Sequence, residues 1–132
     1  EKVKELGIQP CASVHEMLPL VDYLTVHTTL TEETKNLIGP KEVQMLKKGV
    51  RLINCARGGI VNEADLAEAV KSGKVAGAAL DVFEKEPAVG NKLTTLSNVV
   101  CTPHIGAQTK EAQTLAANVI GEKIIMILRG VI

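Results

Sequence analysis

At 132 residues the chain has the length of about one domain, and 45% hydrophobic residues are enough for a packed core rather than a disordered chain. Fifteen basic residues balance fifteen acidic ones, leaving no net basic field to recruit nucleic acid or an anionic membrane. Tyr23 and Phe83 are the only aromatics, so the core must be aliphatic and no platform exists for stacked bases.

The chain alternates strand and helix patterns. Glu1–Leu6 is a charged segment, and Ile8–Cys11 reads as a short strand. Ser13-Val14-His15-Glu16 has the capping-box spacing, in which the Ser hydroxyl and the Glu carboxylate each satisfy a free amide of a first helical turn. Tyr23–His27 is the next strand. Pro40–Lys48 reads as a helix, opened by proline and closed by Gly49. Val50–Cys55 is a strand; Asn62 is placed to cap a helix over Glu63–Ser72, which Gly73 ends. Val75–Phe83 and Val99–Cys101 complete the strands. From Thr109 to Gly130, Ala112, Leu115, Val119, Ile120, Ile124 and Ile127 recur at helical spacing. Several strands are apolar at consecutive positions, as in sheets covered on both faces. Short alternating units predict a doubly wound parallel α/β sheet. No apolar run approaches the roughly 18 residues of a membrane span, and no signal peptide opens the chain. Cys11, Cys55 and Cys101 are odd in number and lack metal-ligand spacing; small core residues carrying free thiols in a reducing cytoplasm are expected.

In such sheets ligands bind beyond the carboxyl ends of the strands. The groups standing there are Thr28, Cys55-Ala56-Arg57-Gly58-Gly59, Asp81 with Glu86, and His104 behind Pro103. Histidine is the side chain best suited to exchange a proton near neutral pH, a carboxylate beside it favours and orients the imidazolium, and a guanidinium can grip a substrate carboxylate through two parallel bonds. The set suits proton transfer at a hydroxyl or ketone carbon next to a carboxylate, with a nicotinamide cofactor as the hydride partner. Each residue also has a structural reading. His104 can be a strand-end structural histidine, Arg57 can pair with a surface carboxylate, Gly58-Gly59 can simply turn the chain, Asp81 can cap a turn, and Glu86 can be solvated. His15 reads as surface and His27 as structural.

"NCARGGIVNEADLAEAVKSGKVAGAALDVFEKEP" followed by "CTPHIGAQTKEAQ" closely resembles the NAD-dependent D-isomer 2-hydroxyacid dehydrogenases. The ending "PHIGAQTKEAQ", with "VHTTLTEETKNLI" upstream, is most similar to the branch that oxidises 3-phosphoglycerate at the entry to phosphorylated serine biosynthesis. The resemblance implies a Rossmann-like NAD-binding domain of a homo-oligomeric cytoplasmic enzyme. It implies Arg57 as substrate-binding arginine, Glu86 as its paired carboxylate and His104 as acid/base. It also implies cofactor contacts at Thr28, Cys55, Ala56, Arg57, Asp81, His104, Ile105, Gly106 and Ala107, and no metal. Reductases acting on glyoxylate or hydroxypyruvate share the three catalytic residues, as do dehydrogenase-like NAD-sensing corepressors of transcription. "IGAQTKEAQ" argues against the corepressors, which tend to have an alanine-aromatic segment there.

The sequence departs from the family pattern at Thr29, where proline is usual, and at Asn62, where aspartate is usual. It contains no G-x-G-x-x-G to hold a pyrophosphate, so residues 1–108 are expected to be the carboxyl-side part of the NAD-binding domain, inactive alone. Residues 109–132 are expected to be a long helix leading back toward the substrate domain. On this reading Ile8–Cys11 has no neighbouring strand, and Tyr23–His27 lies at an exposed sheet edge.

Overall fold

The computed structural model describes residues 2–131. In chain order its elements are α1 (Lys2–Glu5), α2 (Val14–Met17), β1 (Tyr23–Val26), α3 (Pro40–Met45), β2 (Val50–Asn54), α4 (Glu63–Lys71), β3 (Val75–Leu80), a 3-10 turn (Lys92–Thr95), β4 (Val99–Cys101) and α5 (Lys110–Leu128). The four strands form one parallel sheet in the order β1-β2-β3-β4. This is the expected Rossmann-like α/β sheet, with β1 at one edge.

Register explains which residues meet. Leu24, Leu52, Ala78 and Val99 form one rung; Val26, Asn54, Leu80 and Cys101 form the next. All eight point to the same face, because side chains two apart on a strand share a side. There they join the aliphatic core with Ile38, Leu46, Ile60, Leu66 and Leu93. The opposite face carries Tyr23 (63% exposed) and Val100 (65% exposed), and the Arg51 guanidinium lies over the Tyr23 ring at 5.6 Å. Among the described residues, therefore, the sheet is covered on one side.

Local chemistry sets the helix ends. Asn62 accepts from the Asp65 amide at 3.0 Å, capping α4, and Thr109 accepts from the Ala112 amide at 3.1 Å, capping α5. Ser13 accepts from the Glu16 amide, as the capping box requires, but Glu16 reaches the Ala12 amide at 2.9 Å rather than that of Ser13. The helix from Pro40 stops at Met45, short of the expected Lys48. Leu46 turns extended (ψ 153°), buries its side chain and gives its carbonyl to the Lys74 ammonium at 2.5 Å.

Three expectations are corrected. Ile8–Cys11 is not a strand. A strand needs a partner for its amides and carbonyls, and β1 pairs only with β2. Two of the three cysteines are not core residues: Cys11 and Cys55 are exposed, whereas Cys101 is partly buried and packs against the core. The apolar spacing of α5 does not produce a packed face, because Leu115, Val119, Ile120, Ile124 and Ile127 are all exposed.

Candidate active site

The parallel strands bring four turns to one edge of the sheet. After β2, Asn54 is the polar member of a buried rung and only 2% exposed. Its amide donates to the Arg57 carbonyl at 3.0 Å, and its side-chain oxygen accepts from the Ala56 amide at 3.0 Å. This buried side chain thus braces the turn that carries Arg57. The sequence reading missed it, although a polar residue closing an apolar strand is the signal that could have revealed it. The Arg57 guanidinium is exposed, folds onto the Ala56 carbonyl at 2.6 Å and makes no ion pair among the described residues.

After β3 the chain runs through Asp81 to Glu86, and after β4 through Thr102 to His104. Asp81, 5% exposed, accepts from the Thr102 hydroxyl at 2.5 Å and from the amides of Ile105 (2.9 Å) and Gly106 (2.8 Å). The Thr102 hydroxyl bond, helped by the two amides and opposed by burial, holds its carboxyl below the usual range. These bonds fasten the turn in which His104 sits at φ +55°, a left-handed conformation uncommon for a side chain with a Cβ. Gly106 approaches so closely that a Cβ there would lie 3.0 Å from the Asp81 carboxylate.

Glu86 and His104 meet directly. The Nδ1 of His104 lies 2.8 Å from Glu86 Oε2, and Glu86 Oε1 accepts from the Phe83 amide at 3.0 Å. The His104 hydrogen bond, then the Phe83 amide, holds the Glu86 carboxyl below its ordinary value. With Nδ1 engaged by a carboxylate, Nε2 is the ring nitrogen left to exchange a proton with a ligand. A cleft of about 570 Å³, lined by Phe83, Glu86, Pro87, Thr94, Cys101 and His104 among others, opens beside the pair. Arg57 stands at the same sheet edge but does not line this cleft.

The other candidates occupy lesser positions. Thr28 is half-buried at the end of β1, with its hydroxyl 3.4 Å from the Thr29 carbonyl. His27 is exposed and paired with the Thr25 hydroxyl at 2.9 Å; His15, also exposed, pairs with Glu42 at 2.9 Å. Neither belongs to the edge constellation. The strand-end hydroxyl of Thr28, the backbone of Cys55-Ala56-Arg57 and the small residues Gly106 and Ala107 suit the nicotinamide half of a dinucleotide, which lies along such an edge. The carboxylate of Asp81 is turned onto the Ile105 and Gly106 amides and fastens that turn.

Residues 1–106 match the family model for the D-isomer specific 2-hydroxyacid dehydrogenase NAD binding domain. The chain belongs to this family. D-3-phosphoglycerate dehydrogenase of Bacillus subtilis is 51% identical over 130 residues, covering 98% of this chain and 25% of that protein. A glyoxylate reductase from Paecilomyes thermophila superposes with a TM-score of 0.88 at 33% identity, covering 96% of this chain and 38% of its own. The NAD-complexed D-isomer specific 2-hydroxyacid dehydrogenase of Lactobacillus delbrueckii ssp. bulgaricus gives 0.84 at 28% identity, covering 96% of this chain and 43% of its own. The chain spans about a quarter of the length of the curated relatives it matches. Its cofactor class is that of the family, NAD.

Proposed function

We propose that the protein of which this sequence forms the NAD-binding part oxidises 3-phosphoglycerate to 3-phosphohydroxypyruvate with NAD, feeding serine biosynthesis. The single observation carrying this reading is the Glu86–His104 pair, 2.8 Å apart beside an open cleft at the carboxyl edge of the sheet. Bound NAD would supply the hydride acceptor, held at Thr28, Cys55, Ala56, Arg57, Asp81 and His104–Ala107. His104 Nε2 takes the C2 hydroxyl proton. Glu86, hydrogen-bonded at Nδ1, stabilises the imidazolium that results. The Arg57 guanidinium swings off the Ala56 carbonyl to grip the substrate carboxylate, fixing C2 relative to His104.

Substrate choice rests on similarity to the phosphoglycerate enzymes, while the superposition on a glyoxylate reductase favours a second reading, reduction of glyoxylate or hydroxypyruvate. The absence of any buried residue on α5 supports its use as a connection back toward a substrate domain. We further propose a cytoplasmic homo-oligomer without nucleic-acid or membrane partners, in keeping with the balanced charge. Initial rates of NADH formation by the full-length protein decide the substrate. Faster turnover per active site on 3-phosphoglycerate than on glycerate or glycolate is expected; the opposite ranking would assign the second reading.

A further inference from the structure

We propose that Glu63 is a positioning residue, fixing the spacing between Arg57 and the Glu86–His104 pair. The argument turns on one peptide, Phe83–Glu84. On one side it touches the turn carrying Arg57: a Cβ built on Gly58 would lie 1.9 Å from the Phe83 carbonyl oxygen and 2.6 Å from the Glu84 nitrogen. Those turns are therefore in backbone-to-backbone contact, and the tilt of this peptide sets how far Arg57 stands from the next loop. On its other side, the Glu84 amide donates to Glu63 Oε1 at 2.5 Å. The second oxygen of Glu63 accepts from the Asn91 side-chain amide at 2.5 Å, and Asn91 in turn caps the 3-10 turn by accepting from Leu93 at 3.0 Å.

One carboxylate thus grips both ends of the segment from Glu84 to Asn91, and Glu86 lies within it. Phe83, the residue just before this segment, donates its amide to Glu86 Oε1 at 3.0 Å. Glu63 is a rigid post for this purpose. It is the first residue of α4, whose Leu66, Ala67, Ala69 and Val70 are buried in the core. Its carboxylate is not needed to cap its own helix, because Asn62 already accepts from the Asp65 amide. Its two acceptors are instead spent on residues 21 and 28 positions away. A chain of contacts accordingly runs from α4 through Glu63 to the Phe83–Glu84 peptide, then to Gly58 and Arg57 on one side and to Glu86 and His104 on the other.

The inference rests on Arg57, Glu86 and His104 forming the active site. Its test compares Glu63→Ala with Glu63→Gln in the full-length protein. A displacement of about an ångström at a reacting centre costs on the order of a hundredfold in rate. Glu63→Ala is expected to lower kcat for 3-phosphoglycerate oxidation by roughly that factor, to raise KM, and to leave the NADH dissociation constant within about twofold. Glu63→Gln, whose amide oxygen can still accept from Glu84 while its NH2 faces the Asn91 side-chain donor, is expected to restore part of the turnover. The ring-proton signals of His104, read by NMR, should move in Glu63→Ala and return in Glu63→Gln. A loss of thermal stability in Glu63→Ala with kcat and the His104 signals unchanged would overturn the proposal, as would equal loss of turnover in both variants. Should the wild type leave 3-phosphoglycerate untouched, only the substrate reading falls, and the His104 signals still decide the role of Glu63.

Discussion

Asp81→Asn isolates the anchor beneath His104. The substitution preserves size and can leave one oxygen for the Thr102 hydroxyl and the Ile105 amide. It turns an NH2 group toward the Gly106 amide, where Oδ2 now accepts at 2.8 Å. One charge-assisted hydrogen bond is lost and two donors face each other. Hydrogen bonds to charged groups contribute about 1.5–3 kcal/mol, and Asp81 is only 5% exposed, so little solvent screening reduces the figure. Destabilisation of about 2–3 kcal/mol at pH 7 is expected, a large part of the margin of a domain stable by about 5–15 kcal/mol. The pH dependence has a defined sign. Because the folded Asp81 carboxyl is held below its usual value, the stability it contributes is present above the ordinary aspartate pKa of about 4 and is lost as pH falls through the depressed folded value. Urea unfolding of wild type and variant at pH 7 and at successively lower pH measures both effects, with the gap closing on acidification. A difference below about 0.5 kcal/mol at pH 7, or a gap that widens toward low pH, would refute this account of Asp81.

Other perturbations test the surrounding site. Glu86→Gln removes the carboxylate that orients the His104 ring and opposes the charge it gains in the transition state, so kcat for alcohol oxidation is expected to fall; unchanged turnover would mean that the 2.8 Å contact does not couple the residues. Arg57→Lys keeps the charge but not the planar fork, and catalytic efficiency is expected to fall by on the order of a hundredfold, measured as kcat/KM; retention of most activity would exclude a two-point clamp. Gly58→Ala forces a Cβ into the Phe83 carbonyl at 1.9 Å, so the Arg57 turn must shift. Both the thermal midpoint and kcat should fall, and a variant with wild-type values of both would disprove the close approach.

The parts of this fold legible in the sequence are those that local chemistry decides. The largely apolar runs at Val50–Cys55 and Val75–Phe83 marked β2 and β3, which end earlier, at Asn54 and Leu80, and Asn62 and Thr109 cap the helices that follow them. The misses lie where a distant partner decides. Ile8–Cys11 has strand composition but no strand beside it, and the helix from Pro40 ends early at a carbonyl claimed by Lys74, 28 residues on. The periodic apolar residues of α5 foretold a helix correctly but not its exposure, since periodicity specifies a face and not what covers it. At the site, Arg57, Glu86 and His104 could be named because charged side chains just past strands are conspicuous. Of the braces beneath them, Asn54 was signalled only by its polarity at the end of an apolar strand, and Glu63 by nothing. Asn54 and Glu63 act on the 54–57 turn and the 84–91 loop through contacts that exist only after the sheet has formed.

The most direct test of the central claim is the rate of hydride transfer in a single turnover of full-length His104→Ala, set beside its affinity for NADH. Proton transfer at His104 Nε2 is a transition-state role, so transfer should slow by a factor of about 10²–10⁴, far more than NADH affinity falls through the loss of one of several cofactor contacts. Hydride transfer at the wild-type rate in His104→Ala would contradict the assignment of the Glu86–His104 pair as the acid/base of this protein.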